Sequence, residues 1–463
     1  MKVVNGKWLK VVNGKWLVVS RFILLNFVCL TFVIGTFAQF AQDKTDVADQ
    51  IALVSEFDVN GLKVVVKRRP SAPTVAAGLF VRGGARNISD KNAGVEYFML
   101  DAATEGSKMF PREAIRRELA STGSGIGASV ANDYSVLNFA STLEHFDKTW
   151  QIFTDAAMNP TFEKDDVERT REKLLTSLRD DEDDADGFLQ VLQDRVIYAN
   201  HPYFNNVRGT LATIQKLAPN DLKAYHQATM QTSKLLLVVV GDLSAADVRK
   251  KVESTLGKLP RGNYKETAFP ALDFSKTTLE VSPRTLPTNY IQGVFNAPSL
   301  NNPDYYAMRV AITILRNRLF EEVRERRQLS YAPSAELNEL SANTGNIYVT
   351  AVDANQTITV MLDQIKGLRN ELVDEREISG VAGQFLTTYY IDQETNAAQA
   401  AELAKYELIG GGWQNSFEFL NRLVDVTPQR VQAVSQKYLK NLRFVVVGNP
   451  VAINKAIFLQ NLE

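Results

Sequence analysis

Cysteine and histidine are scarce in this sequence of 463 residues. It contains one cysteine, Cys29, and three histidines, His145, His201 and His226. Cys29 lies within an apolar N-terminal stretch, so the remainder of the chain has no thiol. This excludes disulfide bonds, a cysteine metal site and a thiol nucleophile there. No two histidines are close enough in sequence to share a helical turn, so none has the spacing of a zinc-binding helix.

An excess of charge is also missing. The sequence has 52 Lys and Arg residues against 53 Asp and Glu residues, which gives a formal net charge of −1. This balance provides no general attraction to nucleic acid or to anionic membranes. With 45% hydrophobic and 23% charged residues, the composition is that of a globular protein, and the length is enough for roughly two to four domains.

Residues 1–41 have the pattern of a secretory signal peptide. Lysines and Arg21 precede an apolar run over residues 22–35, and Thr36-Phe37-Ala38 supplies small residues ahead of a cleavage site. The pattern predicts export, to the periplasm or the cell surface, which fits a cysteine-free mature chain. An uncleaved N-terminal anchor is the alternative, although a membrane span usually needs about 20 apolar residues.

The remaining sequence contains an internal repeat. A helix followed by a Val-rich strand occurs at residues 217–242 and again at 426–449, and the glycine pairs Gly78/Gly293 and Gly241/Gly448 are each about 210 residues apart. The repeat predicts an N-terminal half over residues 50–262, a linker over 263–274 and a C-terminal half over 275–463. Strands and helices that do not strictly alternate indicate an α+β fold, with a mostly antiparallel sheet in each half and helices packed on one face.

A short helix between Gly94 and Gly106 is the most distinctive element. Its apolar residues recur at helical spacing and predict one buried face, formed by Val95, Phe98, Met99, Ala102 and Ala103. A second face carries Tyr97, Leu100 and Asp101, because residues three and four positions apart are neighbours on a helix.

The order of motifs around this helix resembles the pitrilysin/insulinase family of zinc peptidases. The motifs are residues 82–86 (Arg-Gly-Gly-Ala-Arg), 94–101 (Gly-Val-Glu-Tyr-Phe-Met-Leu-Asp), 105–108 (Glu-Gly-Ser-Lys) and Pro111. In that family the helix reads His-x-x-Glu-His, and its two histidines hold zinc together with a glutamate from a later helix.

The resemblance places non-ligating residues at the positions of the zinc site. Tyr97, Leu100 and Asp101 occupy the three motif positions of the helix. Ser177 occupies the position of the third ligand, on a helix predicted to begin at residue 163. Thr170, seven residues earlier, occupies the position of another glutamate of the family. Leucine has no lone pair, and a neutral phenol or hydroxyl is a poor substitute for an imidazole or a carboxylate. The resemblance therefore implies that the zinc site has been lost, and we expect no metal in this chain.

The C-terminal half is similar to the family's segment that carries an arginine and, seven residues later, a tyrosine. Arg324 and Tyr331 have this separation, although Gln328 replaces the usual glycine. In the family this pair binds the substrate backbone and the developing oxyanion opposite the zinc. The alternative is a charged helix face with a packed aromatic side chain. Gly127, Ala128 and Ser129 match the edge strand that pairs with peptide in the family.

The resemblance implies two halves that close like a clamshell around a chamber. It also implies a catalytically incomplete subunit of a heterodimeric zinc metallopeptidase, inactive alone. Such a subunit would position peptide for a homologous partner chain that holds the zinc. The alternative is a non-enzymatic structural or peptide-binding protein with the same fold. Neither hypothesis involves nucleic acid, or a membrane beyond a possible N-terminal anchor.

Overall fold

The computed structural model describes the backbone of residues 2–4, 7–12 and 15–18, and the whole of residues 47–462. The apolar run and cleavage site of the predicted signal peptide lie outside the described residues. The chain divides into two compact units, Met1–Ala52 and Leu53–Glu463. Strands β1 (Lys2–Val4), β2 (Lys7–Val12) and β3 (Lys15–Val18) form an antiparallel sheet in the first unit. Among the helices of the described residues, none combines the length and the apolar character needed to span a bilayer.

The first half of the second unit is built on a six-stranded sheet with the order β4-β5-β9-β6-β8-β7. Its strands are β4 (Val54–Val59), β5 (Leu62–Arg68), β6 (Thr74–Arg82), β7 (Gly125–Val130), β8 (Tyr134–Thr142) and β9 (Leu235–Gly241). Only the β5/β9 pair is parallel among these strands. Asn60 and Gly61 form the β4–β5 turn with φ angles of 54° and 89°, as an Asn-Gly hairpin requires.

The second half is built on a five-stranded sheet with the order β10-β14-β11-β13-β12. Its strands are β10 (Thr278–Pro283), β11 (Asn289–Asn296), β12 (Ser334–Leu337), β13 (Thr344–Ala351) and β14 (Arg443–Gly448). The β10/β14 pair is parallel and the others are antiparallel. Strands β10, β14, β11, β13 and β12 correspond in order to β5, β9, β6, β8 and β7 of the first sheet. This repeated order confirms the predicted α+β fold of two homologous halves.

The repeated glycines in the sheets have the same packing role. A Cβ atom added to Gly78 would lie 2.5 Å from the ring of Phe80, and one added to Gly293 would lie 2.5 Å from the ring of Phe444. Each glycine therefore leaves room for a phenylalanine ring on its sheet. This shared requirement explains why both copies of the repeat have glycine at these points.

Helices cover both sheets. Those of the first half are α1 (Val95–Ala103), α2 (Arg112–Thr122), α3 (Phe146–Met158), α4 (Lys164–Asp183), α5 (Ala185–Ile197), α6 (Leu211–Lys216), α7 (Pro219–Thr229) and α8 (Ala245–Ser254). Those of the second half are α9 (Tyr305–Leu319), α10 (Ala354–Asn370), α11 (Glu375–Asp392), α12 (Asn396–Ile409), α13 (Phe419–Val424), α14 (Pro428–Tyr438) and α15 (Lys455–Phe458), with a π-helical segment, Phe320–Arg326, directly after α9. No helix or strand lies between residues 259 and 277.

The two halves exchange a helix. Helix α5 of the first half packs on β11 and β14, and α12 of the second half packs on β6 and β9. Alternate residues of β14 show the arrangement, since Phe444 and Val446 belong to the core of the second half whereas Val445 and Val447 contact Leu189 of α5. Because both faces of these strands are buried, their sequences are continuously apolar. The exchange joins the two halves through their central strands.

Candidate functional site

Helix α1 positions the residues that replace the zinc-binding motif. It begins after Gly94, and the five residues of the predicted apolar face are buried in the core of the first half. Of the three motif positions, Leu100 is fully buried, Asp101 is 8% exposed and Tyr97 is half-buried. Leu100 therefore belongs to the core, while Tyr97 and Asp101 lie on the side of the helix that faces α4.

Two glycines bring a third segment close to the start of α1. Gly94 and Gly209 have φ angles of 82° and 93°, in the region that favours glycine. A Cβ atom on Gly94 would lie 2.5 Å from the Cα atom of Gly209 and 2.9 Å from the carbonyl oxygen of Arg208. This close approach positions the Arg208 side chain at the surface between α1 and α4.

Asp101 is bound by a lysine of α4. The Nζ atom of Lys173 lies 3.2 Å and 3.0 Å from the two carboxylate oxygens of Asp101. Burial alone would lower the pKa of the Lys173 ammonium, but its hydrogen bond to Asp101 and the nearby negative charge outweigh burial and raise the pKa. Lys173 is therefore a stable cation at neutral pH.

Ser177 is bound by an arginine. The guanidinium of Arg208 donates one hydrogen bond to Oγ of Ser177, at 2.7 Å, and another to a carboxylate oxygen of Asp181, at 2.6 Å. A pocket of about 60 Å³ lies here. Its lining is formed by Tyr97, Lys173, Leu174, Ser177, Leu178 and Arg208. Tyr97 and Ser177, from two different helices, thus meet at one pocket, and Asp101 adjoins it through Lys173.

These side chains do not fit a zinc ion. Two basic groups, Lys173 and Arg208, are bound to Asp101 and Ser177 at two of the ligand positions, and a divalent cation there would be repelled by both. Thr170 is buried, and its hydroxyl donates to the backbone oxygen of Asp166. Within residues 47–462, no cluster of three or more His, Cys, Asp or Glu side chains has a geometry for metal binding.

The structure brings Arg324 and Tyr331 together. The guanidinium carbon of Arg324 lies 4.0 Å from the centre of the Tyr331 ring and 4.7 Å from that of Phe320, so the cation contacts two aromatic rings. Tyr331 is 78% exposed and Phe320 is also exposed. The pair therefore lies on the surface of the second half, and Tyr331 is not the packed aromatic side chain of the alternative hypothesis.

The backbone around this pair is irregular. Arg324 belongs to the π-helical segment, a form that often occurs at functional sites. Gln328 follows with a φ angle of 54°, and the amide of Leu329 returns to bind the Val323 carbonyl at 2.8 Å. The glycine that the family has at this position would adopt this conformation without strain, whereas glutamine pays a cost.

Strand β7, which contains Gly127, Ala128 and Ser129, lies at the edge of the first sheet. It pairs only with β8 among the described strands. A Cβ atom on Gly127 would meet only the Asn138 side chain, at 3.8 Å, so the strand is not crowded. A strand with an unpaired edge is able to accept an extended peptide, and the substrate-binding role of these residues stays a prediction.

The sequence alone did not reveal Lys173 and Arg208. Lys173 lies four residues before Ser177 on α4, and this spacing places the two side chains on one helix face. That spacing was a usable signal for Lys173. Arg208 had no such signal, because its position depends on the contact between Gly94 and Gly209.

A buried carboxylate in α1 also escaped the sequence analysis. Glu96 is 2% exposed and accepts hydrogen bonds from Ser135 at 2.6 Å, Tyr225 at 2.8 Å and Asn87 at 2.9 Å. Burial raises the pKa of this carboxyl above its usual value. Because all its partners are internal, Glu96 anchors α1 to the sheet and to α7 and does not face the pocket.

Comparison with known proteins identifies the family. The model of the insulinase family, peptidase family M16, matches residues 63–211, which include α1, and the model of the peptidase M16 inactive domain matches residues 216–385, which include Arg324 and Tyr331. Together the two matches span more than half of the chain. The chain belongs to peptidase family M16. With Tyr97 and Leu100 in the motif and an inactive-domain match in the second half, it is a family member of the inactive type.

Individual relatives of this M16 chain are distant. Subunit 1 of the mitochondrial cytochrome b-c1 complex from Bos taurus is 24% identical over 265 residues, which cover 57% of this chain and 55% of that protein. The match thus spans only about half the length of that relative. The non-peptidase homolog YmxG of Helicobacter pylori is 21% identical over 415 residues, which cover 86% of this chain and 95% of that protein.

The fold has close counterparts among solved structures. The peptidase M16 inactive domain from Pseudomonas fluorescens matches with a TM-score of 0.80 and 18% sequence identity, over 87% of this chain and 99% of that one. At this identity the likeness establishes the fold alone. It is consistent with the repeated sheet order described above.

Proposed function

We propose that this M16 chain is a catalytically incomplete subunit of a heterodimeric zinc metallopeptidase. It binds and positions peptide for a homologous partner chain that holds the zinc. The observation that carries the proposal is the contact of Arg324 with the exposed ring of Tyr331, in a chain whose residues Asp101 and Ser177 at the zinc positions are bound by Lys173 and Arg208. One half has thus lost the metal chemistry, while the other presents hydrogen-bond donors to something outside the chain.

The chemistry of the stack suits a peptide carbonyl. Arg324 is always charged and offers several N–H donors, and the hydroxyl of Tyr331 is a further donor. Contacts with the rings of Phe320 and Tyr331 restrict the movement of the guanidinium. In the described part of the chain, no carboxylate forms an ion pair with Arg324, so its donors remain available. Preorganised donors of this kind stabilise an oxyanion in a transition state.

Two further features fit the same function. The open edge of β7 offers backbone groups for an extended peptide, with Gly127, Ala128 and Ser129 facing it. The leader-like pattern at residues 1–41 supports an exported subunit, in the periplasm or at the cell surface.

The test is to measure peptidase activity and zinc content for the chain alone and after co-expression with a family member from the same organism that carries His-x-x-Glu-His. We expect activity and bound zinc only in the mixture. Replacing Arg324 by Ala, or Tyr331 by Phe, in the complex should lower kcat by about 10²–10³-fold, as loss of an oxyanion donor does. Activity of the isolated chain would contradict the proposal.

A matched control is available two residues away. Arg326 lies in the same π-helical segment but forms ion pairs with Glu321 and Glu322, so Arg326→Ala should leave kcat nearly unchanged. The second candidate function is that of a structural or peptide-binding protein, favoured by the similarity to a subunit of the cytochrome b-c1 complex. For that function the complex would assemble, and Arg324→Ala would have no more effect than Arg326→Ala.

A further inference from the structure

The pocket at the former zinc positions contains hydrogen-bond donors that the chain itself does not use. No partner for the Tyr97 hydroxyl is found within the described residues. A lysine ammonium has three N–H donors, and the recorded bonds of Lys173 go only to Asp101. The Arg208 bonds to Asp181 and Ser177 use its two terminal nitrogens and leave Nε. Ser177 accepts from Arg208, and its own O–H remains able to donate.

Two carboxylates adjoin these donors, and each is paired with a cation. Both oxygens of Asp101 are bound by Lys173, and Asp181 is bound by Arg208. The two other lining residues, Leu174 and Leu178, have apolar side chains. The pocket therefore presents donors from four side chains. Its two cations are balanced by Asp101 and Asp181, so its complementarity to an acceptor group depends on the donors that remain free.

The size of the pocket limits the group that can enter. Its volume of about 60 Å³ is small. A carboxylate, with two oxygens, is the smaller of the common anionic groups and suits this space. A phosphate, with four oxygens, is bulkier and should fit less well.

We propose that the first half binds a peptide carboxylate in this pocket, through Tyr97, Lys173, Ser177 and Arg208. The inference goes beyond the proposed function, because it concerns residues of this chain alone and needs neither zinc nor a partner. A failure of the heterodimer would leave it intact.

The experiment uses the isolated chain and acetate labelled with ¹³C as the first probe. Line broadening of the acetate signal is measured by NMR as the acetate concentration rises, at constant ionic strength set with chloride. We expect saturable binding, weakened about threefold to tenfold by Tyr97→Phe and more than about tenfold by Arg208→Gln. Inorganic phosphate should compete poorly. Circular dichroism checks that both variants are folded, and Tyr97→Phe removes only one hydroxyl should Arg208→Gln disturb the Gly209 segment.

The matched control is Arg68→Gln. Arg68 also forms an exposed ion pair, with Asp242 at 3.0 Å, but does not line the pocket, so this variant should bind acetate like the parent chain. Equal broadening in the parent, Tyr97→Phe and Arg208→Gln proteins would overturn the proposal, because it would indicate a general charge effect. Broadening that does not saturate would overturn it as well, since a pocket filled only with water behaves in that way.

Three short peptides distinguish the two sources of a carboxylate. One has a free C-terminus and no acidic side chain, the second has an amidated C-terminus and one glutamate, and the third is amidated without glutamate. Competition with acetate by the first or the second would support the proposal and identify the source as the chain terminus or an acidic side chain. Equal competition by the third, or competition by none, would overturn binding of a peptide carboxylate.

Discussion

The former zinc region of the first half and the Arg324–Tyr331 region of the second differ in where their polar groups find partners. Asp101, Ser177 and Asp181 are all bound by basic side chains of the same half. Arg324 instead contacts the rings of Phe320 and Tyr331 and has no carboxylate partner within residues 47–462. In the first region each cation is paired with a carboxylate of the same half and the remaining donors line a small pocket, whereas in the second region the cation has no such partner.

This difference separates residues that preserve the fold from residues that act outside the chain. A buried carboxylate such as Asp101 needs a cation once the metal site has been lost, because an unpaired buried charge is strongly destabilising. Arg324 is half-buried and Tyr331 is exposed, and a cation–π contact near the surface contributes only about 0.5–1 kcal/mol, so stability accounts for little of their arrangement.

The largest expected effect on stability is that of Lys173→Met. The substitution keeps a long apolar side chain but leaves Asp101, at 8% exposure, without its cation. Breaking a fully buried pair costs about 3–5 kcal/mol. The Lys173 side chain is 67% exposed, so in the variant water can partly solvate the Asp101 carboxylate in place of the ammonium. We therefore expect the free energy of unfolding, measured with urea, to fall by roughly 2 kcal/mol.

Two further variants complete this prediction. Asp101→Asn combined with Lys173→Met removes both charges and should recover most of the lost stability. Arg324→Ala in the second half should cost less than about 1 kcal/mol, the usual range of an exposed cation–π contact. A loss for Arg324→Ala as large as that for Lys173→Met would break the contrast between the two regions.

The exchange of helices α5 and α12 connects the two halves that contain these regions. Asp194 of α5 allows the stability of this contact to be tested. It lines a polar cavity of about 310 Å³ together with residues of both halves, among them Gln292 and Asn346. Burial raises the pKa of the Asp194 carboxyl to about 6, although a hydrogen bond from Gln190 opposes the change. The unfolded chain has a pKa of about 3.9 for aspartate.

Between about pH 4 and pH 6 the folded state therefore keeps a proton that the unfolded state releases, and stability falls as pH rises through this window. Asp194→Asn should be more stable than the parent protein at pH 7–8, by about 1 kcal/mol after allowing for solvent screening of a half-buried group. The difference should vanish near pH 4. Gln190→Ala, which removes the opposing hydrogen bond, should enlarge the fall in stability with pH. A constant difference between Asp194→Asn and the parent at all pH values would contradict the prediction.

Local patterns predicted much of the fold. The apolar spacing of α1, the Asn-Gly hairpin and the repeated glycines each depend on residues close in sequence, or on two copies of one pattern, and the structure confirms them. The contact between Arg324 and Tyr331 was also predictable, because the two residues are only seven positions apart in one segment.

The rest depends on contacts between distant segments. The exchange of α5 and α12 depends on which face of each sheet the two helices contact. An apolar run such as that of β14 predicts that both faces of the strand are buried, but it does not show which helix packs on each face. Arg208 reaches Ser177 only because Gly94 and Gly209 touch. Such contacts leave no periodic signal in one sequence, so the position of Arg208 could not be foreseen, whereas the spacing of Lys173 from Ser177 gave a usable signal.

The smallest expected effect concerns the one strained residue beside the exposed pair. Gln328 has a φ angle of 54°, and glycine at such a position avoids a steric cost but has more freedom to lose on folding. Gln328→Gly should therefore stabilise the protein by only about 0.5 kcal/mol. Gln328→Asn should gain less, and Arg327→Gly, at a position with a φ angle of −109°, should be destabilising. If Gln328→Gly is destabilising, the glutamine side chain makes a contact that outweighs its backbone strain. The segment beside Arg324 would then be stabilised by contacts within its own half, and the contrast with the first region would be weaker.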